Sequence, residues 1–170
     1  VFQENILCFG DATGTIQINV SGGTPLESSP GVFDYLYSWS GPNGFTSTSK
    51  NINNLISGNY SVAVTDDLGC TTNADFVLNQ SPEIEINYTK TDVTCYGEAN
   101  GAIDVTVNGG VAPYKITWSN FSNGFSLSNL SAGTYNATIT DANNCVKQVA
   151  IRIEQPIFFM DPTVKPISCN

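Results

Sequence analysis

The residues of this sequence that could carry chemistry are five cysteines and a small set of carboxylates, because histidine is absent. Without imidazole the chain lacks Ser-His-Asp and Cys-His catalysis and the zinc sites that use histidine. An enzyme would need a carboxylate pair instead. The adjacent residues Asp66 and Asp67 are expected to point apart rather than converge. The sequence therefore predicts a protein that is not an enzyme.

Hard oxygen ligands for Ca²⁺ are a second candidate chemistry. Asp66, Asp67 and Asp141, with Asp11 and Glu98, could supply such ligands at a loop end. No Asp-x-Asp-x-Asp run is present, and a Ca²⁺ site normally needs several carboxylates. We expect aspartates that cap turns, no metal site and no cofactor, with Ca²⁺ as the alternative.

Composition limits the partners. Hydrophobic residues make up 41% of the 170 residues, which is enough for a packed core. Charged residues make up 12% and the net charge is −9 with six basic residues, so binding to nucleic acid is not expected. No apolar run approaches the roughly 20 residues that span a bilayer, so direct membrane insertion is not expected either.

An internal repeat organises the chain. Cys8-Phe-Gly10 and the segment 14–23 recur 87 positions later as Cys95-Tyr-Gly97 and the segment 101–110. Further matches lie 75 positions apart: Leu55, Gly58, Tyr60, Thr65, Asp66, Cys70 and Gln80 recur as Leu130, Gly133, Tyr135, Thr140, Asp141, Cys145 and Gln155. The first copy therefore carries about a dozen extra residues. We predict domains at 1–82 and 83–156, with 157–170 beginning a third copy.

Each copy has the pattern of short strands. Ile16, Ile18 and Val20 alternate with polar residues, which is the period of a half-buried strand. A tryptophan in the third strand, Trp39 or Trp118, and a tyrosine after a Gly corner are typical of immunoglobulin-like sandwiches. We predict an all-β chain of two tandem immunoglobulin-like β-sandwich repeats plus the first strand of a third. Trp39, Trp118, Tyr60 and Tyr135 are assigned to the structural core.

These residues together resemble the SprB repeat. The shared pattern runs Cys-x-Gly, Gly-x-Ile-x-Val, Gly-Gly, Pro-Tyr-x-x-x-Trp-Ser, Leu-x-x-Gly-x-Tyr, Thr-Asp, Cys and Gln-Pro, and it covers nearly the whole chain twice. The second copy matches throughout, including Pro113-Tyr114, and the first departs at its inserted loop, 24–34. The resemblance implies a gliding-motility adhesin or related giant surface protein of the Bacteroidota, exported by the type IX system and displayed outside the outer membrane.

In an exported protein the cysteines are expected to form disulfides. They lie two per repeat, with Cys169 in the truncated third copy, and none forms a Cys-x-x-Cys motif. We predict bridges Cys8–Cys70 and Cys95–Cys145, each contributing about 4 kcal/mol by loop closure. A competing scheme, Cys70–Cys95 and Cys145–Cys169, would link neighbouring repeats. Free buried thiols are a third possibility.

The insertion at 24–34 is the strongest ligand-binding candidate, because loops at sandwich ends carry binding functions. Glu27, Phe33 and Asp34 would offer an aromatic platform with hydrogen-bond acceptors. The alternative is an inserted surface loop with no function, which costs little stability.

The leading functional hypothesis is a non-catalytic stalk or adhesive filament of a secreted adhesin. Its partners would be neighbouring repeats of the same chain and surface polysaccharide or other cell-surface proteins. The alternatives are a carbohydrate-binding module that uses the 24–34 loop and a calcium-stabilised adhesion repeat. The tail from Ile157 onward is expected to dock on the second repeat or to pair with another chain, because an unpaired apolar strand is a liability.

Overall fold

The computed structural model describes residues 1–157, which divide into two compact units. Repeat 1 is Val1–Glu83, and repeat 2 begins at Ile84. Within the described residues the elements are strands, apart from one 3₁₀ turn at Pro42–Gly44. The third copy predicted at 157–170 lies, except for Ile157, outside the described residues, and so do Cys169 and the expected docking of the tail.

Repeat 1 contains nine strands in two sheets and a separate hairpin. The strands are β1 (Phe2–Glu4), β2 (Gly14–Gln17), β3 (Leu26–Ser29), β4 (Val32–Asp34), β5 (Leu36–Ser40), β6 (Thr46–Ser47), β7 (Ile52–Leu55), β8 (Gly58–Thr65) and β9 (Thr71–Leu78). One sheet has the order β1-β2-β7 and the other β6-β5-β8-β9, while β3 and β4 pair only with each other. All the strand pairs are antiparallel.

Repeat 2 repeats this arrangement without the extra hairpin. Its strands are β10 (Glu85–Thr91), β11 (Gly101–Asn108), β12 (Lys115–Trp118), β13 (Ser126–Leu130), β14 (Gly133–Thr140) and β15 (Val146–Ile153). The sheets have the orders β10-β11-β13 and β12-β14-β15. Strands β10, β11 and β13 therefore correspond to β1, β2 and β7, and strands β12, β14 and β15 correspond to β5, β8 and β9, while the two-residue strand β6 has no counterpart among the strands of repeat 2. This is immunoglobulin-like topology, so the predicted fold class is confirmed.

The two sheets of repeat 1 enclose one apolar core. Ile16 comes from one sheet and Ile18 follows its strand β2, while Trp39 and Val62 come from the other sheet, and each of the four is at most 5% exposed. Phe76 packs against Trp39 with ring centroids 5.7 Å apart. Burial of side chains of this size stabilises the fold by about 1.5–3 kcal/mol each.

Repeat 2 buries the corresponding set. Ile103 and Val105 lie on β11, and Trp118 and Ile139 face them from β12 and β14, with Trp118 only 4% exposed. The alternation of apolar and polar residues that indicates strands in the sequence is therefore the alternation of buried and exposed residues in both sheets.

The insertion forms a β-hairpin rather than an irregular loop. Strands β3 and β4 pair with Glu27 opposite Phe33, and the turn between them uses Pro30 and Gly31. Gly31 has a φ of +78°, which a residue with a Cβ rarely adopts. Its N–H donates to Glu27 Oε1 at 3.0 Å, which fixes the turn. Pro and Gly are favoured in tight turns, so the Pro30-Gly31 pair accounts for the position of the turn in this hairpin.

Candidate functional site

The aspartate that recurs in both repeats, Asp66 or Asp141, binds backbone N–H groups of two separate segments. We call this arrangement the lock. In repeat 1 the Asp66 carboxylate accepts the Thr24 N–H at 3.0 Å on Oδ2 and the Cys70 N–H at 2.8 Å on Oδ1. The Asp67 N–H returns a bond to the Thr24 carbonyl at 2.8 Å. These bonds join the β8–β9 hairpin to the segment that follows β2. They hold the pKa of Asp66 below its ordinary value of 3.8, the Thr24 N–H having the largest effect.

Repeat 2 has the same lock around Asp141. Its Oδ2 accepts the Val111 N–H and its Oδ1 accepts the Cys145 N–H, both at 2.9 Å. The neighbouring glycine, Gly110, has a φ of +55°, and a Cβ there would lie 3.0 Å from Asp141 Oδ2. The Gly-Gly pair and the aspartate therefore recur together because the backbone must approach the carboxylate closely.

Two of the five candidate Ca²⁺ ligands, Asp66 and Asp141, use their carboxylates to bind backbone N–H groups. Among residues 1–157 no group of three Cys, Asp or Glu side chains could hold a metal ion. Asp66 and Asp141 are 7% and 5% exposed and point at backbone N–H groups. Asp67 is exposed. The candidates Asp66 and Asp67, although adjacent in sequence, therefore do not converge on a shared position.

The repeated aromatic residues are structural in both repeats. Trp39 donates its indole N–H to the Ser49 carbonyl and Trp118 donates to the Gly124 carbonyl, each at 2.9 Å. The repeated tyrosines bond back to the turn before their strand: Tyr60 donates to the Ile56 carbonyl at 3.0 Å, and Tyr135 to the Ser131 carbonyl at 2.9 Å. This is the corner arrangement of immunoglobulin-like domains.

The three ligand-binding candidates of the insertion have different environments. The Asp34 carboxylate accepts hydrogen bonds from the Tyr37 hydroxyl at 2.7 Å and from the Tyr35 N–H at 2.9 Å, so it is bound to the chain that follows β4. These bonds lower the pKa of Asp34, and the Tyr37 hydroxyl has the largest effect. Glu27 is engaged at the hairpin turn. Phe33 is 60% exposed and lies opposite Glu27 in the register. The hairpin thus offers one exposed aromatic ring beside one carboxylate.

Contacts between the opening and closing segments of repeat 1 form a feature that we call the terminal clasp. The Ile6 N–H donates to the Asn79 carbonyl, and the Asn79 N–H donates to Asn5 Oδ1, both at 2.9 Å. The Gly10 N–H donates to Gln80 Oε1 at 2.9 Å. Ile6 and Gln80 form a parallel bridge, so the two segments run in the same direction.

Repeat 2 has the same clasp at the equivalent positions. The Val93 N–H donates to the Glu154 carbonyl at 3.0 Å, and the Glu154 N–H donates to Asp92 Oδ1 at 2.8 Å. The Gly97 N–H donates to Gln155 Oε1 at 3.3 Å. The sequence pattern alone predicts no role for these residues. Gln80 recurs as Gln155 at an offset of 75 positions, whereas its partner Gly10 recurs as Gly97 at an offset of 87. Because the two offsets differ, the sequence repeat does not reveal that the glutamine and the glycine are hydrogen-bonded.

An ion pair reinforces the clasp of repeat 2. Lys90 Nζ lies 2.9 Å from Asp92 Oδ1 and donates to the Arg152 carbonyl at 2.8 Å. The Asp92 side chain raises the pKa of Lys90, while the Glu154 N–H and then Lys90 lower the pKa of Asp92. The pair is exposed, so it contributes mainly to the orientation of the two segments.

The cysteines of one repeat lie at opposite ends of its sandwich. Cys8 is near Gln80, beyond the last residue of β9, whereas Cys70 lies in the hairpin where β9 begins. In repeat 2, Cys95 is likewise near Gln155 and Cys145 is in the β14–β15 hairpin. Strands of eight residues separate the two ends by about 23 Å.

The predicted bridges Cys8–Cys70 and Cys95–Cys145 are therefore wrong. A disulfide requires Cα atoms within about 7 Å, and the strands between the two positions exceed that distance. Cys8, Cys95 and Cys145 are disulfide-bonded, whereas Cys70 is an exposed free thiol. The competing bridge Cys70–Cys95 is also excluded by the free Cys70, and the bridge Cys145–Cys169 involves a residue outside those described.

One family model matches part of each repeat. The SprB repeat matches residues 1–44 and 87–123, so the resemblance seen in the sequence is confirmed. Each matched segment begins near the start of one repeat and includes its first cysteine and its Gly-Gly pair. No curated protein matches the chain.

Several solved structures have some similarity to this chain. The amphioxus IgVJ-C2 molecule is 13% identical with a TM-score of 0.35, covering 88% of this chain and 98% of that one. The four N-terminal Ig domains of Dscam1 isoform 8.4 are 12% identical with a TM-score of 0.36, covering 72% of this chain and 38% of that chain. Murine CEACAM1b is 13% identical with a TM-score of 0.31, covering 86% and 94%. This chain thus spans about two fifths of the Dscam1 fragment.

Within residues 1–157 there is also no helix that is long and apolar enough to cross a membrane.

Proposed function

We propose that this chain, which carries two matches to the SprB repeat, is a non-catalytic stalk segment of a secreted cell-surface adhesin. Its repeats would transmit tension between an anchor and an adhesive part of a larger protein. The SprB resemblance supports display outside the outer membrane after type IX export and a role in surface attachment or gliding motility.

The observation that carries this proposal is the terminal clasp. In each repeat the opening and closing segments are joined by several hydrogen bonds, and in repeat 1 a parallel bridge shows that they run in the same direction. A pull on the two ends of a repeat draws these segments in opposite directions along their length. The bonds are then loaded together in shear, so that they must break together rather than one after another. A protein under tension benefits from this geometry.

The use of polar groups supports a non-catalytic role. The buried carboxylates of Asp66 and Asp141 accept hydrogen bonds from backbone N–H groups. Among the described residues, no buried side-chain nitrogen or oxygen lacks a hydrogen-bond partner. Catalytic sites need convergent groups that are left available for substrate, and the features that recur in both repeats are instead turns, core residues and clasps.

The stalk proposal is tested by stretching single molecules of the chain between their ends under reducing conditions. Reduction removes disulfides from the path of the force. We expect two separate unfolding events, one per repeat, each at a force well above that needed to extend an unfolded chain. Extension without discrete events would contradict a role in bearing tension.

A second candidate function, carbohydrate binding, is favoured by the exposed Phe33 beside Glu27 on the β3–β4 hairpin. Aromatic rings and carboxylates are suited to stacking on sugars and accepting their hydroxyl hydrogens. The test is binding to a panel of bacterial and algal glycans by the intact chain and by Phe33→Ser. The matched control is Phe121→Ser, because Phe121 is a 94% exposed aromatic residue of repeat 2.

Saturable binding that Phe33→Ser abolishes and Phe121→Ser retains would make repeat 1 an adhesive module. Absence of binding by all three proteins would leave the adhesive chemistry to other parts of the parent protein. A deletion of 27–33, which removes most of the hairpin, should reproduce the effect of Phe33→Ser if the hairpin is the site.

A further inference from the structure

A groove in repeat 2 lies where β14 begins and β15 ends, and it has a volume of about 750 Å³. Its lining includes Tyr96, Thr134, Arg152 and Glu154, and every lining residue belongs to repeat 2. Sites for small ligands have volumes of about 300–1,000 Å³. The groove is therefore large enough to hold a small ligand.

The terminal clasp of repeat 2 fixes the shape of this groove. Tyr96 directly precedes the glycine whose N–H binds Gln155 Oε1 at 3.3 Å. Both backbone groups of Glu154 are bound as well: its N–H donates to Asp92 Oδ1 at 2.8 Å, and its carbonyl accepts the Val93 N–H at 3.0 Å. The lining is thus held in place before a ligand arrives, which lowers the entropic cost of binding.

The strand register places two polar side chains of the groove next to each other. Thr134 of β14 lies directly opposite Arg152 of β15. Ile151 and Ile153, on either side of Arg152, are at most 1% exposed, so Arg152 and Thr134 point to the outer face of the sheet. Paired side chains of this kind have Cβ atoms about 5 Å apart. The hydroxyl and the guanidinium are therefore presented together.

The charged groups of the groove are available to a ligand. Arg152 is the only arginine of the chain, whose net charge is −9. Its side chain is exposed and makes no ion pair or hydrogen bond among the described residues, because Lys90 Nζ binds only its backbone carbonyl. Glu154 lines the same groove without forming an ion pair with Arg152. A donor and an acceptor are thus open in one groove.

These groups favour an uncharged ligand that is rich in hydroxyls. A ligand with a net charge would be attracted by one of Arg152 and Glu154 and repelled by the other. Hydroxyl groups both donate and accept hydrogen bonds, so they can use the guanidinium and the carboxylate at once. The Tyr96 ring, 62% exposed, adds an aromatic surface on which the apolar face of a sugar ring can stack.

We propose that this groove binds a neutral saccharide. The Tyr96 ring stacks on a pyranose ring, the Arg152 guanidinium and the Thr134 hydroxyl donate to its oxygens, and the Glu154 carboxylate accepts from its hydroxyls. This binding site is separate from the β3–β4 hairpin of repeat 1 and independent of the bearing of tension.

Repeat 1 lacks the two charged groups. Asn59 lies opposite Val77 in repeat 1 as Thr134 lies opposite Arg152 in repeat 2. Val77 therefore takes the place of Arg152, and at the same offset Asn79 takes the place of Glu154. We expect the saccharide to bind repeat 2 and not the equivalent position of repeat 1.

The test is a titration of the whole ¹⁵N-labelled chain, followed through its amide NMR signals. The neutral probes are maltotetraose, laminaritetraose and xylotetraose, and trigalacturonate is the acidic comparison. We expect at least one neutral probe to give saturable shifts at Tyr96, Thr134 and Arg152. Absence of saturable shifts at these residues with all three neutral probes would overturn the proposal, and so would saturation by trigalacturonate alone.

Three variants sharpen the test. Arg152→Val, which introduces the residue of repeat 1, should weaken binding by about tenfold or more, as loss of a hydrogen bond from a charged donor does. Lys115→Val is the matched control, because it removes the same charge from an exposed position on β12 outside the groove. It should leave the affinity unchanged, and so should Phe33→Ser in the hairpin.

The remaining outcomes separate the site from its rivals. Equal weakening by Arg152→Val and Lys115→Val would assign the effect to overall charge and contradict the groove as the site. Unchanged affinity in Arg152→Val, with its amide spectrum showing a retained fold, would contradict it too. Loss of binding in Phe33→Ser would place the saccharide at the hairpin instead.

Discussion

Repeat 1 and repeat 2 differ most between their second and third strands. There repeat 1 places the β3–β4 hairpin with its exposed Phe33, whereas repeat 2 passes directly from β11 to β12. The sandwiches on either side of this difference have the same strand order in their common sheets and the same locks and clasps. The common features maintain the fold and its ends. A specialised role for repeat 1 should therefore be sought in the hairpin.

The largest expected effect is on the shared core. Trp39→Ala and Trp118→Ala should each destabilise their repeat by about 3–5 kcal/mol, because each removes a nearly buried ring and leaves a cavity. Denaturant unfolding followed by circular dichroism checks this. A loss below about 1 kcal/mol at either site would mean that the two cores are not equivalent.

The lock should matter less than the core. Asp141→Ala leaves the Val111 and Cys145 N–H groups without their acceptor, which should cost about 1–3 kcal/mol. The same unfolding measurement applies, with Asp104→Ala as a control, since Asp104 is an exposed aspartate on β11. Equal free energies of unfolding for the two variants would mean that the lock does not stabilise repeat 2.

The lock of repeat 1 should also give acid sensitivity. The pKa of Asp66 is lower in the folded protein than its ordinary value of 3.8, so the charged form stabilises the fold. That stabilisation is complete above about pH 5 and is lost as the pH falls below about 4 through the folded pKa. Asp66→Asn should therefore lower stability at neutral pH and flatten its decline below pH 4, as followed by unfolding midpoints at successive pH values. A decline as steep as that of the parent chain would assign the acid sensitivity to other carboxylates.

The smallest effect is expected at the tyrosine corners. Tyr60→Phe and Tyr135→Phe each remove one hydroxyl bond to a backbone carbonyl, which should cost about 0.5–1.5 kcal/mol. Tyr60 is 1% exposed, whereas Tyr135 is half-buried, so the larger loss is expected in repeat 1. A larger loss at Tyr135, measured by thermal unfolding, would reverse this part of the comparison.

The sequence was sufficient for the parts of the structure that depend on local pattern. Alternation around Ile16 and Ile103 predicts buried strands, and the recurrence of Trp39 as Trp118 predicts a shared sandwich.

The cysteine pairing and the clasp depended on information that spacing lacks. Two cysteines per repeat suggest a bridge within the repeat. Their spacing does not reveal that Cys70 precedes β9 and Gln80 follows it, so that the two residues lie at opposite ends of the sandwich. The clasp joins residues more than 55 positions apart through side-chain and backbone bonds. Such contacts follow from tertiary topology, which local periodicity does not specify.

The central claim is that each repeat resists tension through its terminal clasp. The most direct measurement compares the unfolding force of the reduced parent chain with that of Asn5→Ala, which removes the acceptor of the Asn79 N–H. Asn53→Ala is the control, because Asn53 is an exposed asparagine on β7 outside the clasp. We expect a lower unfolding force for one of the two events in Asn5→Ala and no change in Asn53→Ala. Equal forces in all three proteins would contradict it.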